Sequence, residues 1–241
     1  MNKLELELNE KKEFIQEFVQ PTGWSSVDTA EEIRQKLEFA GINLSNESSH
    51  CVATGYGRIS VPYADKTVTE ITCHALGAVH LFQHPDLTVI DIGGQDTKII
   101  QIEQGFVKDF IMNDKCAAGT GRFLEVMANT LSLRPNEMFD LARLGSDTTI
   151  SSMCTVFAES EVIGLIGKGE PKENIAYAVV NSTIRKVAAQ VSRMNGEMFT
   201  FCLTGGLCEC DYIREALSKE LGKDVFSCPD ARYAGAIGAA L

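Results

Sequence analysis

The sequence lacks any long apolar run and is short of positive charge. No apolar stretch approaches the ~18 residues of a membrane-spanning helix, and the first residues lead into alternating leucine and glutamate rather than into a signal peptide. The 22 Lys and Arg residues are outnumbered by 33 Asp and Glu residues, and the formal net charge is -11. An acidic surface does not attract nucleic acid or an anionic membrane. We therefore expect a cytoplasmic protein that uses neither as its main partner.

The sequence has eight cysteines but only four histidines. In a cytoplasmic chain, cysteines are more often reduced thiols, some of them metal ligands, than a disulfide framework. Cys208 and Cys210 form a two-ligand motif with no histidine nearby, so we interpret them as loop thiols. Four further cysteines lie in or beside apolar runs and are expected to be packing residues: Cys51, Cys73, Cys202 and Cys228.

Two other cysteines stand before amphipathic segments. Cys116 comes one turn before a helix expected to begin near Ala118, and Cys154 precedes the apolar positions Val156, Val162, Ile163 and Ile166. The unpaired N–H groups and positive end of a helix favour thiolate over thiol. Two thiolates do not complete a four-cysteine site, but a two-fold axis would add two more from an identical chain. The alternative is that both are small buried hydrophobic residues.

Strands and helices interleave along the chain, which indicates the α/β class. Leu4, Leu6 and Leu8 alternate with glutamates, as in a half-buried strand, and 9–11 reads as a turn. Segment 13–20 fits a helix or a strand, and we interpret it as a strand. We expect further strands at 50–54, 87–92, 98–103, 106–112, 200–203 and 224–227, and helices from Ser25 and at 69–82, 118–131, 135–144, 155–167, 172–194, 211–221 and 231–241.

Two parts of the chain are similar enough to be copies of one design. In 87–112 a buried strand runs into an Asp and a Gly-Gly turn, and then into a hairpin. The N-terminal part begins directly with a hairpin, without the opening strand and its glycine turn. We therefore expect two subdomains, 1–85 and 86–241, of which the first is incomplete at its start. The last helix is expected to pack back on the first subdomain.

Two glycine turns follow strands and could approach a nucleotide. In Asp91-Ile92-Gly93-Gly94-Gln95, the glycines let backbone N–H groups come close to phosphate oxygens while Asp91 addresses a metal or a water. Gln95 could orient an attacking water. Thr204-Gly205-Gly206 suits the close approach of an adenosine. Taken alone, each turn could equally be a structural connection between strand and next element.

Together, these motifs resemble one family. The sequence is similar to the activator ATPases (component A) of 2-hydroxyacyl-CoA dehydratases and to the related ATPase subunits of benzoyl-CoA reductases. Both belong to the superfamily of acetate and sugar kinases, heat-shock chaperones and actin. The resemblance extends over nearly the whole chain from about Lys3. It rests on NDKCAAGTGRF at 113–123, CTVFAESE at 154–161, DIGGQDTK at 91–98, TGG at 204–206 and AGAIG at 234–238.

The resemblance implies a duplicated ribonuclease-H-like, actin-like ATPase fold and a homodimer with one [4Fe–4S] cluster between its subunits. Cys116 and Cys154 match the family's cluster ligands. It also implies ATP and Mg²⁺ in a cleft, with Asp91 and Gln95 catalytic and the nucleotide bound at Gly93, Gly94, Thr120, Gly121, Gly205 and Gly206. The implied activity is ATP-driven transfer of one electron, received from reduced ferredoxin or flavodoxin, to a dehydratase or related reductase.

One departure from the family concerns the first phosphate loop. The family begins with a strand and an Asp-x-Gly-Ser-Thr loop, which has no counterpart before the first hairpin of this sequence. We therefore expect either a chain that starts late or a variant with impaired ATP turnover. Two other functions stay open: a non-hydrolysing iron–sulfur or scaffold protein, and a small-molecule kinase on the same fold. The kinase would not require Cys116 or Cys154.

Overall fold

The N-terminal part of the chain, in this computed structural model, contains two separate strand pairs. The structure describes residues 2–8, 14–21, 23–44, 46, 49–113, 115–151, 154–196 and 198–241. Strands β1 (Asn2–Leu8) and β2 (Phe14–Pro21) pair antiparallel, whereas β3 (Val52–Ala53) and β4 (Lys66–Thr67) pair parallel. The interpretation of 13–20 as a strand is thus confirmed, and the expected turn at 9–11 lies outside the described residues.

The helices of this part begin at hydroxyl caps. Helix α1 (Ser26–Phe39) follows Ser25, whose Oγ accepts a hydrogen bond from the Asp28 N–H at 3.1 Å. Helix α2 (Glu70–Phe82) follows Thr69, whose Oγ1 accepts from the Thr72 N–H at 3.5 Å. Such caps satisfy N–H groups that have no partner inside the helix, and both helix starts agree with the sequence prediction.

A five-stranded sheet forms the second part. Its strands are β5 (Leu87–Ile92), β6 (Thr97–Glu103), β7 (Phe106–Asn113), β8 (Thr200–Gly205) and β9 (Val225–Phe226), in the order β7-β6-β5-β8-β9. Central β5 pairs antiparallel with β6 and parallel with β8. Ile90 and Ile92 join one core cluster, and Leu87 and Val89 join another. This period-two alternation buries β5 on both faces.

The two N-terminal strand pairs resemble the outer strands of this sheet. Strands β1 and β2 form an antiparallel hairpin like β6 and β7, and β3 and β4 are a parallel pair like β8 and β9. Within the described ranges, no strand joins the two pairs in the position that β5 holds in the larger sheet. The strand pairs of the two parts thus have matching orientations, while the division of the chain into two copies of one design stays a prediction.

The remaining helices largely follow the sequence prediction. They are α3 (Gly121–Thr130), α4 (Pro135–Ala142), α5 (Thr155–Gly167), α6 (Lys172–Val191), α7 (Asp211–Leu221) and α8 (Ala234–Ala240). The prediction for α3 was wrong at its start, because Gly119 has a φ of +89° and Thr120 is extended. The helix expected at 231–241 is a 3₁₀ turn, Pro229–Tyr233, followed by α8. No helix of the described segments combines the length and apolarity needed to cross a membrane.

Helices α2 and α8 cross with their backbones in contact. A Cβ on Gly77 would lie 1.8 Å from the Ala234 carbonyl oxygen, and one on Gly238 would lie 1.7 Å from the Cys73 carbonyl oxygen. No side chain fits such a gap, so the crossing depends on both glycines. The last helix therefore packs on a helix of the N-terminal part, while the division between residues 85 and 86 stays a prediction.

Candidate nucleotide site and cysteine loop

Asp91 is a buried carboxylate at the end of β5, with only 2% of its surface exposed. Sheet register brings Lys98 of β6 and Thr204 of β8 beside it. Thr204 Oγ1 donates to Asp91 Oδ1 at 2.8 Å, and Lys98 Nζ lies 3.4 Å from Oδ2. His74 of α2 places its Nδ1 3.3 Å from Oδ1. Residues of three strands and one helix thus surround this carboxylate. Without such partners, burying its charge would cost a large free energy.

Lys98 is a buried ammonium among carboxylates. Its Nζ lies 2.6 Å from Asp96 Oδ1 and 3.4 Å from both Asp91 Oδ2 and Glu70 Oε2. Burial acts to lower the pKa of Lys98, but Asp91, Asp96 and Glu70 act more strongly and raise it above the ordinary value for lysine. Lys98 therefore stays charged and neutralises part of the negative charge at this end of the sheet.

The pKa of Asp91 shifts in the opposite direction. Burial acts to raise its pKa, but His74, Lys98 and Thr204 hold the pKa below the ordinary value. A lowered pKa stabilises the fold above the unfolded value of ~3.9, and this contribution is lost as pH falls through the folded value. The raised pKa of Lys98 contributes fully below ~10.4 and is lost as pH rises through its folded value. Asp91 is therefore an ionised acceptor at neutral pH.

The first glycine turn (93–96) connects β5 to β6. The Gly93 N–H donates to the Asp96 carbonyl oxygen at 2.9 Å and closes the turn. A Cβ on Gly93 would lie 2.8 Å from Asp96 Oδ1, so a larger residue would displace the carboxylate that holds Lys98. Gly94 and Gln95 are exposed at the tip of the turn. This tip is accessible to a ligand, while the charges behind it are buried.

The second glycine turn (204–206) follows β8 and lies against the first. The Gly206 N–H donates to the Ile92 carbonyl oxygen at 3.1 Å. Gly205 has a φ of +85°, and a Cβ there would lie 2.5 Å from the same oxygen and 3.0 Å from Asp91 Oδ1. Only glycine combines that conformation with so close an approach. The two turns predicted from sequence therefore meet beside Asp91.

The first glycine turn is also bonded to the start of α3. The Gly121 N–H donates to the Gly93 carbonyl oxygen, and the Arg122 N–H donates to the Gly94 carbonyl oxygen, both at 2.9 Å. A Cβ on Gly121 would lie 3.3 Å from the Gly93 oxygen. Thr120, the buried N-cap residue of α3, directly precedes this junction. The predicted nucleotide residue Gly121 is thus joined to the Asp91 turn by a main-chain hydrogen bond, and Thr120 is its neighbour in the chain.

The cysteine loop (115–120) precedes this junction and is held by side chains from the sheet. Asn113 Nδ2 donates to the carbonyl oxygens of Cys116 at 2.9 Å and of Ala118 at 3.1 Å. Thr97 Oγ1 donates to the Gly119 carbonyl oxygen at 2.6 Å. Cys116 is half-buried, and its sulfur lies 3.6 Å from Lys186 Nζ. The cysteine therefore lies on a fixed loop rather than in the core.

Cys154 is the N-cap residue of α5 and is exposed, as expected for a thiol at a helix start. Of the apolar positions predicted for α5, only Val162 is buried. Val156, Phe157, Ile163 and Ile166 are 67%, 68%, 56% and 46% exposed. We call these four residues the α5 apolar face. Packing within one chain leaves this face uncovered next to the exposed cysteine.

One chain offers two thiols, not a complete metal site. In the ranges that the structure describes, no group of three or more His, Cys, Asp or Glu side chains is arranged to hold a metal ion. A [4Fe–4S] cluster takes four thiolates. The donor chemistry of Cys116 and Cys154 fits half of such a site, which a symmetric second chain would complete.

Other cysteines are embedded in the fold. Burial raises the pKa of Cys202 to about 12 and the pKa of Cys208 to about 11. Burial also raises the pKa values of Cys73, Cys210 and Cys228. Such thiols stay protonated at neutral pH and do not serve readily as ligands. The sequence interpretation of these residues as packing or loop thiols agrees with this environment.

Several charged residues beside Asp91 and Cys116 could not be assigned a definite function from the sequence. Lys98 is the second residue of β6, whereas Asp96 lies in the first glycine turn just before that strand, so strand alternation does not predict their contact. Glu70 and His74 have helical i, i+4 spacing, which suits a structural pair or a cleft lining, and the structure brings both to the Asp91 charges. For Lys186, 70 residues from Cys116, we find no sequence signal.

Known proteins resemble this chain over nearly its whole length. Residues 8–241 match the model of the BadF/BadG/BcrA/BcrD ATPase family. The chain is 42% identical over 239 residues to the (R)-2-hydroxyglutaryl-CoA dehydratase activating ATPase of Acidaminococcus fermentans, covering 97% of this chain and 90% of that protein.

Two solved structures share the fold. The crystal structure of component A of the Acidaminococcus fermentans (R)-2-hydroxyglutaryl-CoA dehydratase has a TM-score of 0.88 and 38% identity, covering 100% of this chain and 96% of that chain. The activator of the 2-hydroxyisocaproyl-CoA dehydratase from Clostridium difficile, with bound ADPNP, has a TM-score of 0.85 and 31% identity, covering 100% and 93%.

These matches extend over nearly the whole chain. The α/β, actin-like ATPase fold expected from the motifs is confirmed, and so is the resemblance on which that expectation rested. The chain belongs to the BadF/BadG/BcrA/BcrD ATPase family.

Proposed function

We propose that this protein is an ATP-driven one-electron donor that activates a 2-hydroxyacyl-CoA dehydratase or a benzoyl-CoA reductase-like enzyme. The relatives named as dehydratase activators support this reading. The observation that carries it is the pair of main-chain hydrogen bonds from Gly121 and Arg122 to the first glycine turn. They connect a nucleotide-type turn directly to the loop that bears Cys116.

In the proposed site, ATP phosphates lie at the tip of the first glycine turn, near Gly93 and Gly94. Asp91 holds Mg²⁺ or its water, and Gln95 orients the attacking water. Gly205 and Gly206 approach the nucleoside, and Thr120 and Gly121 complete the pocket. The relative with bound ADPNP supports ATP as the ligand.

We further propose that two chains form a homodimer around one [4Fe–4S] cluster, bound by Cys116 and Cys154 of each chain. The α5 apolar face supports a second copy as the partner, because contiguous exposed apolar surface commonly marks an interaction site. When bound, the cluster supplies a one-electron redox centre. The upstream donor is reduced ferredoxin or flavodoxin, and the protein acts in the cytoplasm.

Contacts within one chain connect the proposed nucleotide site to the two cysteine segments. Phosphate binding at Gly93 and Gly94 moves the carbonyl oxygens that accept hydrogen bonds from Gly121 and Arg122. Helix α3 starts at those donors and packs against α5, which begins after Cys154. A change at the nucleotide thus reaches both cysteine segments through short connections.

Asp91→Asn tests the nucleotide site. We expect ATPase activity to fall about 100-fold, because the amide keeps the shape but removes the charge that would hold Mg²⁺. Turnover is measured under anaerobic conditions, with thermal unfolding recorded to detect any loss of folded protein. The control is Asp109→Asn, an exposed carboxylate on β7, which should leave turnover unchanged. Wild-type turnover in Asp91→Asn would contradict the assignment.

Cys116→Ser tests the shared cluster. Wild-type protein purified without oxygen should hold about four iron and four sulfide atoms per dimer, and the variant should hold almost none. Iron, sulfide and the visible spectrum are measured together with the dimer mass. Cys51→Ser, outside the cysteine loop, should match wild type. A colourless wild-type protein would count against the whole proposal, and an iron-loaded Cys116→Ser dimer would exclude Cys116 as a ligand.

A second candidate is a non-hydrolysing iron–sulfur or scaffold protein of the same family. The observation in its favour is that Asp91 is 2% exposed and already engaged by Thr204, Lys98 and His74, which leaves little of its carboxylate for Mg²⁺. Calorimetry with ATP beside the ATPase assay separates the two functions. A cluster-loaded dimer that binds no nucleotide would support the second candidate.

A further inference from the structure

Both the aliphatic stem and the ammonium group of Lys186 contact the cysteine loop. Its Nζ lies 3.6 Å from Cys116 Sγ. A Cβ on Gly119 would lie 3.3 Å from both Cγ and Cδ of Lys186, so the aliphatic stem runs directly over that glycine. Gly119 itself has a φ of +89° and is anchored to Thr97. The ammonium group therefore approaches the sulfur along a defined path.

The position of Lys186 on α6 favours this contact. Its neighbours Thr183, Ile184 and Val187 are buried in the core, whereas Arg185 is exposed. Lys186 is half-buried at the boundary between these faces. A lysine at such a boundary buries its stem and presents its charge, and here the charge is presented to a thiol.

We propose that Lys186 is a positioning residue that holds Cys116 in place and raises the reduction potential of the cluster bound there. The inference rests on the proposed function. Hydrogen bonds to ligand sulfurs and nearby charge are among the factors that set cluster potentials. Accepting one electron from the upstream donor makes the cluster more negative by one charge, without forming or breaking a bond. A cation near the sulfur stabilises this reduced form more than the oxidised form.

The test is an anaerobic redox titration of the dimer, followed by its visible and electron paramagnetic resonance spectra. Lys186→Met keeps the stem and removes the charge, so the equilibrium constant for reduction should fall at least about tenfold, a shift of about 59 mV for one electron. Lys186→Arg should restore most of the wild-type potential. Lys172→Met makes the same charge change in the first turn of α6, ~21 Å away, and should leave the potential unchanged.

Each remaining outcome is decisive. If Lys186→Met holds a cluster of unchanged potential, the proposal is wrong although the proposed function stands. If Lys186→Met loses its iron while Lys186→Arg and Lys172→Met keep theirs, the charge is needed to hold the site, which supports the positioning role. If Lys186→Arg loses its iron as well, the charge is not the property that matters and the proposal fails. Absence of iron from the wild-type dimer would overturn the proposed function instead.

Discussion

Lys98→Met is expected to lower the free energy of unfolding by about 3–5 kcal/mol, because it leaves buried carboxylates without their shared cation. Asp91, Asp96 and Glu70 all lie within 3.4 Å of Lys98 Nζ. Methionine fills a similar volume, so the loss reports charge rather than a cavity. The measurement is urea unfolding at pH 7, followed by a repeat at lower pH.

Unfolding at lower pH tests whether the lost stability comes from carboxylate charge. Lys98 helps to hold the pKa of Asp91 low, so without Lys98 the pKa of Asp91 rises and this carboxyl becomes neutral at a higher pH than in wild type. The deficit of the variant should therefore shrink as pH falls towards 4. The control is Lys108→Met on the same hairpin, which removes an exposed ion pair with Glu103 and should cost less than about 1 kcal/mol. Equal losses in the two variants would contradict the role assigned to Lys98.

Gly238→Ala is expected to cost about 3 kcal/mol or more and to lower ATPase activity at the same time. The added Cβ would lie 1.7 Å from the Cys73 carbonyl oxygen and 2.7 Å from the Gly77 nitrogen. Because a Cβ has no alternative rotamer, α2 and α8 must separate, and overpacking of this kind is destabilising. Helix α2 carries Glu70 and His74, so its displacement also disturbs the charges at Asp91.

Urea unfolding and turnover are measured for Gly238→Ala beside Ala240→Ser. The control also adds one heavy atom to α8, but at an exposed position, and should behave like wild type. A Gly238→Ala protein with wild-type stability would show that the helix crossing is looser than its backbone contacts indicate. A stable variant with low turnover would instead mean that the crossing matters only for the site.

Local patterns predicted those elements whose signals lie within a few residues. The helix predicted from Ser25 is α1, the strands predicted at 98–103 and 106–112 form the β6–β7 hairpin, and Cys154 was correctly identified at the start of α5. The start of α3 was misplaced because Gly119, with a φ of +89°, and the extended Thr120 stand where the first helical turn was expected. The same loop accepts a hydrogen bond from Thr97, 22 residues before Gly119, and local patterns do not reveal such a contact.

For the site, too, local motifs could be predicted from the sequence, whereas contacts between distant residues could not. Glycine turns and cysteines were recognisable as motifs, and the register of β5 with β8 then brought the two turns together. Lys98 was present in a motif, but its partner on α2, Glu70, is 28 residues away along the chain. Three of the four apolar side chains predicted along α5 are exposed because periodicity shows that a face is apolar without showing what covers it.

The connection between the first glycine turn and α3 consists only of main-chain N–H and C=O groups of Gly93, Gly94, Gly121 and Arg122. No side chain takes part in these two hydrogen bonds, although Gly93 and Gly121 themselves have close neighbours where a Cβ would lie. Under the proposed function, a substitution of another side chain near the cysteine loop would leave the two hydrogen bonds in place. Recognition of an electron acceptor and transmission from the nucleotide would then be carried by different atoms, so that one could change while the other is retained.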